Sequence, residues 1–150
     1  MGYAPQNLSI KEILFSMRRI TLILSFSLLF VLSACGGGGD GPVVGDAANG
    51  KKLYNQATIG TKSAEGCVSC HNYDEAEGPE ENAPYTAGTG TRAATRVPGM
   101  SAEEYIHESI LTPNAYVVEG FQEGDMYQTF GEELSEQEIA DLIAYVLTEK

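Results

Sequence analysis

The sequence predicts an all-α domain, three or more short helices, over residues 45–150. Three observations predict it. A capped run of helix formers opens the region. Two further runs each begin with a capping box and continue at helical apolar spacing. The long stretch between the first and second runs has no period at all. In order, Asp46-Ala47-Ala48-Asn49-Gly50-Lys51-Lys52-Leu53-Tyr54 starts on a residue whose carboxylate can take the orphan amides of a first turn. Gly50 and Tyr54 lie four apart in it and share a face. The stretch between Asn72 and Gly99 is rich in Gly, Pro, Thr and acid and reads as loop. Ser101 with Glu104 three residues on is a capping box. Tyr105, Ile106, Ser109 and Ile110 follow, and Pro113 stops the helix because its ring and missing N–H cannot continue it. Ser135 with Glu138 repeats the device. Ile139, Leu142, Ile143 and Val146 then make one apolar stripe with Tyr145 beside it.

The chemistry concentrates in Cys67-Val68-Ser69-Cys70-His71. A C-x-x-C-H run is the attachment signature of c-type haem. Two thiols at that spacing add across the two vinyl groups of one haem, and the adjacent imidazole of His71 is placed to bind the iron. One covalent haem would also supply apolar volume that so short a chain cannot bury by itself. The alternatives are a chance pentapeptide, a redox dithiol and half a zinc site. A dithiol prefers a βαβ context, which the sequence lacks. A closed zinc site wants four ligands, and the one other histidine is His107.

The third cysteine has a different setting. Arg18 and Arg19 precede an almost wholly apolar run from Thr21 to Val31, followed by Leu32-Ser33-Ala34-Cys35. A basic start, a short apolar stretch and a small-residue cleavage region make a secretory signal peptide. The run is short for a spanning helix, although an uncleaved anchor is the alternative. Cysteine directly after Leu-Ser-Ala resembles the lipobox of bacterial lipoproteins, in which that cysteine becomes the first mature residue and carries the lipid. The expected organisation is therefore a signal peptide over 1–34, a lipidated Cys35 with a Gly-rich tether over 35–44, and one domain over 45–150. Met17 begins a complete signal peptide by itself, so 1–16 reads as an upstream extension from a mis-assigned start. The tether Gly36-Gly37-Gly38-Gly39-Asp40-Gly41-Pro42 is flexible by composition and lacks the Gly-Lys-Ser/Thr of a phosphate loop. Either reading of the leader puts the domain outside the cytoplasm, on the periplasmic side.

The charge excludes some partners. Nine basic residues stand against 21 acidic ones, a net of -12. Setting aside 1–34 removes Lys11, Arg18 and Arg19 against Glu12 alone, so the mature domain is more acidic still. Nucleic acid and anionic lipid head groups are poor partners for such a surface. A basic docking patch on a redox partner is expected, with solubility as the plainer use of the acid.

This order of parts resembles the class I c-type cytochromes. The resemblance runs from about Gly45 to Lys150 and rests on the C-x-x-C-H run and on the tail from Gly124-Asp125-Met126-Tyr127-Gln128-Thr129-Phe130-Gly131 through Leu134–Val146. It implies a small class I cytochrome c fold, all-α, with helices packed around one covalently attached haem c. In that family a methionine in a loop before the last helix binds iron opposite the histidine, which points to Met126. Tyr127 stands where a proline is common. Met100 and His107 are the rival ligands; Met100 reads as cover for the helix start at Ser101, and His107 as solvent-facing. The family's histidine commonly donates to a proline carbonyl in a Gly-Pro-x-Leu-x-Gly run. Ala83-Pro84-Tyr85-Thr86-Ala87-Gly88 keeps the Pro and last Gly but puts Thr86 for the leucine, with Glu77-Gly78-Pro79 as a competing match. Gly50 and Tyr54 match the face that the family's first helix turns to its last.

The run Tyr105–Phe121 is similar to cytochrome c domains fused to some haem-copper oxidase subunits. These likenesses imply a membrane-tethered carrier of single electrons between respiratory or photosynthetic complexes, with a donor complex and a terminal oxidase or similar acceptor as partners. The alternative is a fixed haem subunit of a larger respiratory or dehydrogenase complex. Met/His ligation fills both axial positions and leaves none for substrate, so no enzymatic activity is expected.

Overall fold

The structure is a computed structural model and describes residues Pro42–Lys150. The signal peptide, the lipobox with Cys35 and nearly all of the Gly-rich tether lie outside the described residues. Among the described residues, five α-helices account for most of the regular structure: α1 (Ala47–Tyr54), α2 (Thr89–Arg96), α3 (Ala102–Leu111), α4 (Phe130–Glu133) and α5 (Glu136–Val146). A two-stranded antiparallel ribbon, β1 (Thr58–Ile59) with β2 (Ala64–Glu65), follows α1. Short 3₁₀ turns occupy Cys67–Ser69 and Pro113–Ala115. No helix among the described residues is long and apolar enough to cross a membrane.

The capping chemistry read from sequence sets the helix starts. Asp46 Oδ1 accepts from the amides of Ala48 and Asn49 at 2.8 and 3.1 Å. Both capping boxes close: Ser101 N–H donates to Glu104 at 2.8 Å, and Ser135 N–H donates to Glu138 at 2.8 Å. The Glu104 carboxyl titrates below its ordinary range because it accepts hydrogen bonds from Ser101. Thr112 N–H still reaches the Glu108 carbonyl at 2.7 Å, and Pro113 then turns the chain into the 3₁₀ segment.

The frame of the domain is α1 packed on α5. Gly50 and Tyr54 are the buried residues of α1. A Cβ on Gly50 would run into the Asp141 carbonyl oxygen, so only glycine permits the two backbones to approach this closely. Asp141 is itself buried, and its Oδ1 accepts from the Asp46 amide at 2.7 Å and from Gln137 Nε2 at 2.7 Å. Tyr54 then meets Tyr145 edge-on, with ring centroids 5.2 Å apart. Ile139, Leu142, Ile143 and Tyr145 are buried as the stripe predicts, whereas Val146 is only half-buried at its edge.

One reading needs correction. The stretch Asn72–Gly99 is not all loop, because α2 occupies Thr89–Arg96 within it. Its buried residues are Gly90 and Ala93, so its inner face is small rather than strongly apolar, and no side chain caps its start at Gly88. Gly90 lets α2 lie against the C-terminal end of α5: its amide donates to the Glu149 carbonyl at 2.7 Å, and a Cβ there would stand 2.6 Å from the Leu147 carbonyl oxygen. The ribbon was also absent from the sequence reading. Two residues per strand are too few to show an alternation.

The core that results is open in the middle. Tyr54, Ile59, Tyr105, Ile106, Ile110, Phe130, Leu134 and Leu142 are among its buried residues, and all of them also line one cavity. The helices therefore pack as walls. Gly50→Ala should destabilise the domain by about 1–3 kcal/mol, the usual range for forcing a group into a filled interface. Denaturant unfolding of the holoprotein checks this; an unchanged midpoint would mean that α1 and α5 separate without cost.

Candidate functional site

The walls enclose a cavity of about 620 Å³, within the roughly 300–1,000 Å³ of small-molecule and cofactor sites. Cys67, Cys70, His71, Pro84 and Met126 all line it. The first three are brought there by a single turn. The Cys67 carbonyl accepts from the amides of Cys70 at 3.2 Å and His71 at 2.9 Å, which winds the run tightly enough to turn all three side chains to one cavity. The ribbon delivers the turn: the Gly66 amide donates to the Ala57 carbonyl at 2.9 Å, and Ile59 and Ala64 anchor the strands in the core.

His71 Nδ1 lies 2.8 Å from the Pro84 carbonyl oxygen. A carbonyl only accepts, so Nδ1 carries the proton and Nε2 keeps its lone pair. Burial pushes the imidazole pKa below its ordinary value, with the Pro84 bond opposing in part, so the ring is neutral near pH 7. This is the tautomer and charge state of a metal-ligating imidazole. The competing Glu77-Gly78-Pro79 segment is used otherwise: the Pro79 carbonyl accepts from Asn72 Nδ2 at 2.9 Å.

The Pro84 loop is held on several sides. The Thr86 amide donates to the Asn72 carbonyl at 3.0 Å and the Ala87 amide to the Tyr73 carbonyl at 2.9 Å. Arg92, from α2, donates to the carbonyls of Ala87 and Tyr85 at 2.7 and 2.6 Å. Sequence reading missed this guanidinium because its helix lies inside the Gly-, Pro- and Thr-rich stretch read as loop. Thr86, where the family pattern has leucine, is 3% exposed and shares a hydrogen bond of 2.5 Å with the Tyr54 hydroxyl. Burial pushes the Tyr54 phenol well above its ordinary pKa, so it stays neutral.

The two rival ligands stand elsewhere. Met100 and His107 line a separate, shallower groove with Val97, Glu103, Glu104 and Ile143, and His107 is exposed. Met126 is half-buried and packs against the core cluster. Its carbonyl accepts from Gln128 Nε2 at 2.5 Å, and Asp125 Oδ2 accepts from the Gln122 amide at 2.8 Å, so the loop is tied on both sides of the methionine.

The thiols argue against a redox dithiol. Burial pushes the Cys67 thiol up to about 11, and burial also raises Cys70. Reactive dithiols lie below the ordinary thiol value. Nor do the described residues contain any group of three or more His, Cys, Asp or Glu side chains that could hold a metal ion, which leaves the zinc alternative without partners among them.

The family model for cytochrome c matches residues 47–150, and the chain belongs to the cytochrome c family. No curated protein and no solved structure matches it. The fold is accordingly the small all-α cytochrome c fold, and membership brings covalently attached haem c, electron transfer and redox partner proteins. Domains of this family typically work outside the cytoplasm. The donor set fits the group. An apolar-walled cavity with Ile59, Ile106, Leu142 and Val146 presents two thiols, a neutral imidazole and a thioether.

The Tyr54–Thr86 pair gives a test of the wall. Tyr54→Phe and Thr86→Val should each cost about 1–3 kcal/mol, because each strands a buried hydroxyl. The double variant should recover most of that loss, since both polar groups are gone. Thermal unfolding of the four proteins checks the cycle; additive losses would show that the two hydroxyls do not depend on each other.

Proposed function

We propose that this chain is a membrane-tethered monohaem cytochrome c that carries single electrons between respiratory or photosynthetic redox complexes. Cys67 and Cys70 form the thioethers, and His71 and Met126 are the axial ligands. The observation that carries this reading is that Cys67, Cys70, His71 and Met126 line one cavity while Met100 and His107 do not. Bound there, haem iron supplies one-electron exchange between its ferric and ferrous states. The chain's own part is to hold and tune the group. The Pro84 carbonyl accepts a hydrogen bond from the Nδ1–H of His71, fixing the ring and raising its basicity. Apolar walls keep water from the centre. Two axial protein ligands leave no open position for a substrate, which favours transfer over catalysis.

The acidic surface suits basic patches on redox partners, and the similarity of Tyr105–Phe121 to domains fused to haem-copper oxidase subunits suggests a terminal oxidase or similar acceptor. Tethering rests on Leu32-Ser33-Ala34-Cys35. A lipidated Cys35 would place the domain at a membrane surface on the periplasmic side, linked by the glycine run. One acyl chain holds weakly, so stable attachment requires at least two.

The deciding experiment concerns the ligands. Ferric wild-type protein should show the weak near-infrared sulfur-to-iron band of Met/His haem. Met126→Ala should abolish it, admit cyanide and lower the reduction potential, whereas Met100→Ala and His107→Ala should leave all three unchanged. Loss of the band in the Met100 variant alone would reverse the assignment. For the tether, Cys35→Ala should remove the acyl mass increment and release the protein from membranes. Mature protein that still carries residues 1–34 would instead mean an uncleaved anchor.

A further inference from the structure

The loop that presents Met126 lacks the proline commonly found after the methionine, and Tyr127 stands in its place. The proline would have fixed the backbone by covalent geometry. Here a side-chain hub does the fixing. The Tyr127 hydroxyl donates to Glu133 Oε1, and the Tyr127 ring leans on Phe130 with centroids 5.0 Å apart. Glu133 is 3% exposed, an unusual position for a carboxylate unless its oxygens are satisfied. They are. Oε2 accepts from the Lys62 amide at 3.1 Å, and Oε1 also accepts, at 3.4 Å, from Thr129 Oγ1. The Glu133 backbone is tied to the same turn, its carbonyl accepting from the Thr61 amide at 3.3 Å. One acidic side chain thus joins the turn between β1 and β2, the residue after Met126, and the helix α4 that follows.

We propose that Glu133 is a positioning residue for the Met126 side of the haem site: anchored on the Lys62 amide, its carboxylate holds Tyr127 and thereby keeps the neighbouring thioether over the cavity. The inference rests on Met126 being the axial ligand. Two features separate it from general packing. The carboxylate's strongest partners come from a turn on the cysteine side of the cavity and from the loop on the methionine side, so it couples the two walls. Its contact in the loop is also the residue adjacent to the ligand, where a small shift is transmitted directly.

The test uses holoprotein and two readouts that a merely structural role would not move: the near-infrared sulfur-to-iron band and the rate of cyanide binding to ferric haem, which requires Met126 to leave. Tyr127→Phe removes one hydroxyl and keeps the ring on Phe130. It should speed cyanide binding about tenfold, the scale of losing a hydrogen bond to a charged group, and weaken the band. Glu133→Leu should do at least as much. Glu133→Gln keeps one acceptor oxygen for the Lys62 amide and can donate its NH2 to the Tyr127 oxygen, so it should retain the band and speed cyanide binding less than Glu133→Leu. Wild-type band and cyanide rate in Tyr127→Phe, well below its melting temperature, would overturn the proposal; that variant decides the matter if Glu133→Leu fails to fold. Met126→Ala separates the two levels. A band retained in Met126→Ala overturns the ligand assignment and this inference together. A band lost there but untouched in Tyr127→Phe overturns this inference alone.

Discussion

The contact of α1 with α5 at Gly50 is the constraint on which the other parts depend. Where two helices meet with a glycine between them, their separation is set by backbone atoms, which cannot be repacked as side chains can. Asp141 adds a second tie by accepting the Asp46 amide, so the start of α1 is fixed to the middle of α5. Tyr54, one turn beyond Gly50, then has a defined place against Tyr145 and in the cavity wall. From that point the chain runs through the ribbon to Cys67. An error in the helix pair would therefore be inherited by the cysteine turn and by His71.

The second constraint is the cavity at the centre of the domain. A helical domain of this length normally closes its core with large apolar side chains. This one buries Tyr, Ile, Leu and Phe residues around a cavity that they line. Haem c fits that pattern as a core element attached by covalent bonds. Stability and function are then one problem: the same apolar walls that keep water from a cofactor are the walls the fold needs covered. The neutral His71 follows from the same burial, since low-dielectric surroundings disfavour the imidazolium while the Pro84 carbonyl fixes which nitrogen keeps its proton.

What could be read from the sequence was whatever is written in short-range chemistry. Asp46, Ser101 and Ser135 announce helix starts because their side chains bond amides two or three residues on, an interaction that needs no tertiary partner. The C-x-x-C-H run is equally local, since one turn suffices to bring its three side chains to a common cavity. The helix α2 was missed because it has neither a capping side chain nor large apolar residues to announce it. Its buried face consists of Gly90 and Ala93, and its reason for existing is the close approach to Leu147 and Glu149, far away in sequence. Arg92 escaped notice with it. The cavity wall supplied by Thr86 was visible as a departure from a pattern, but its partner, the Tyr54 hydroxyl, is 32 residues away.

Two departures from the family pattern share one physical solution. Thr86 for leucine and Tyr127 for proline each bring a hydroxyl toward a region that would otherwise be apolar or rigid. Thr86 is buried, where an unpaired hydroxyl is costly, whereas Tyr127 is exposed and reaches a carboxylate that is itself buried. Each has been given a partner from a different element: Tyr54 of α1 in the first case, Glu133 of α4 in the second. The result differs from its apolar counterpart in kind. Packing tolerates small shifts, whereas a hydrogen bond specifies a distance and a direction, and it fails if either partner moves. Such bonds therefore stiffen the loop behind Pro84 and the loop carrying Met126, the two segments where helical packing supplies the least restraint. A heme-binding cavity with one polar tie behind each loop can accept loop sequences that lack the usual leucine and proline, provided the partner residue is supplied elsewhere in the fold.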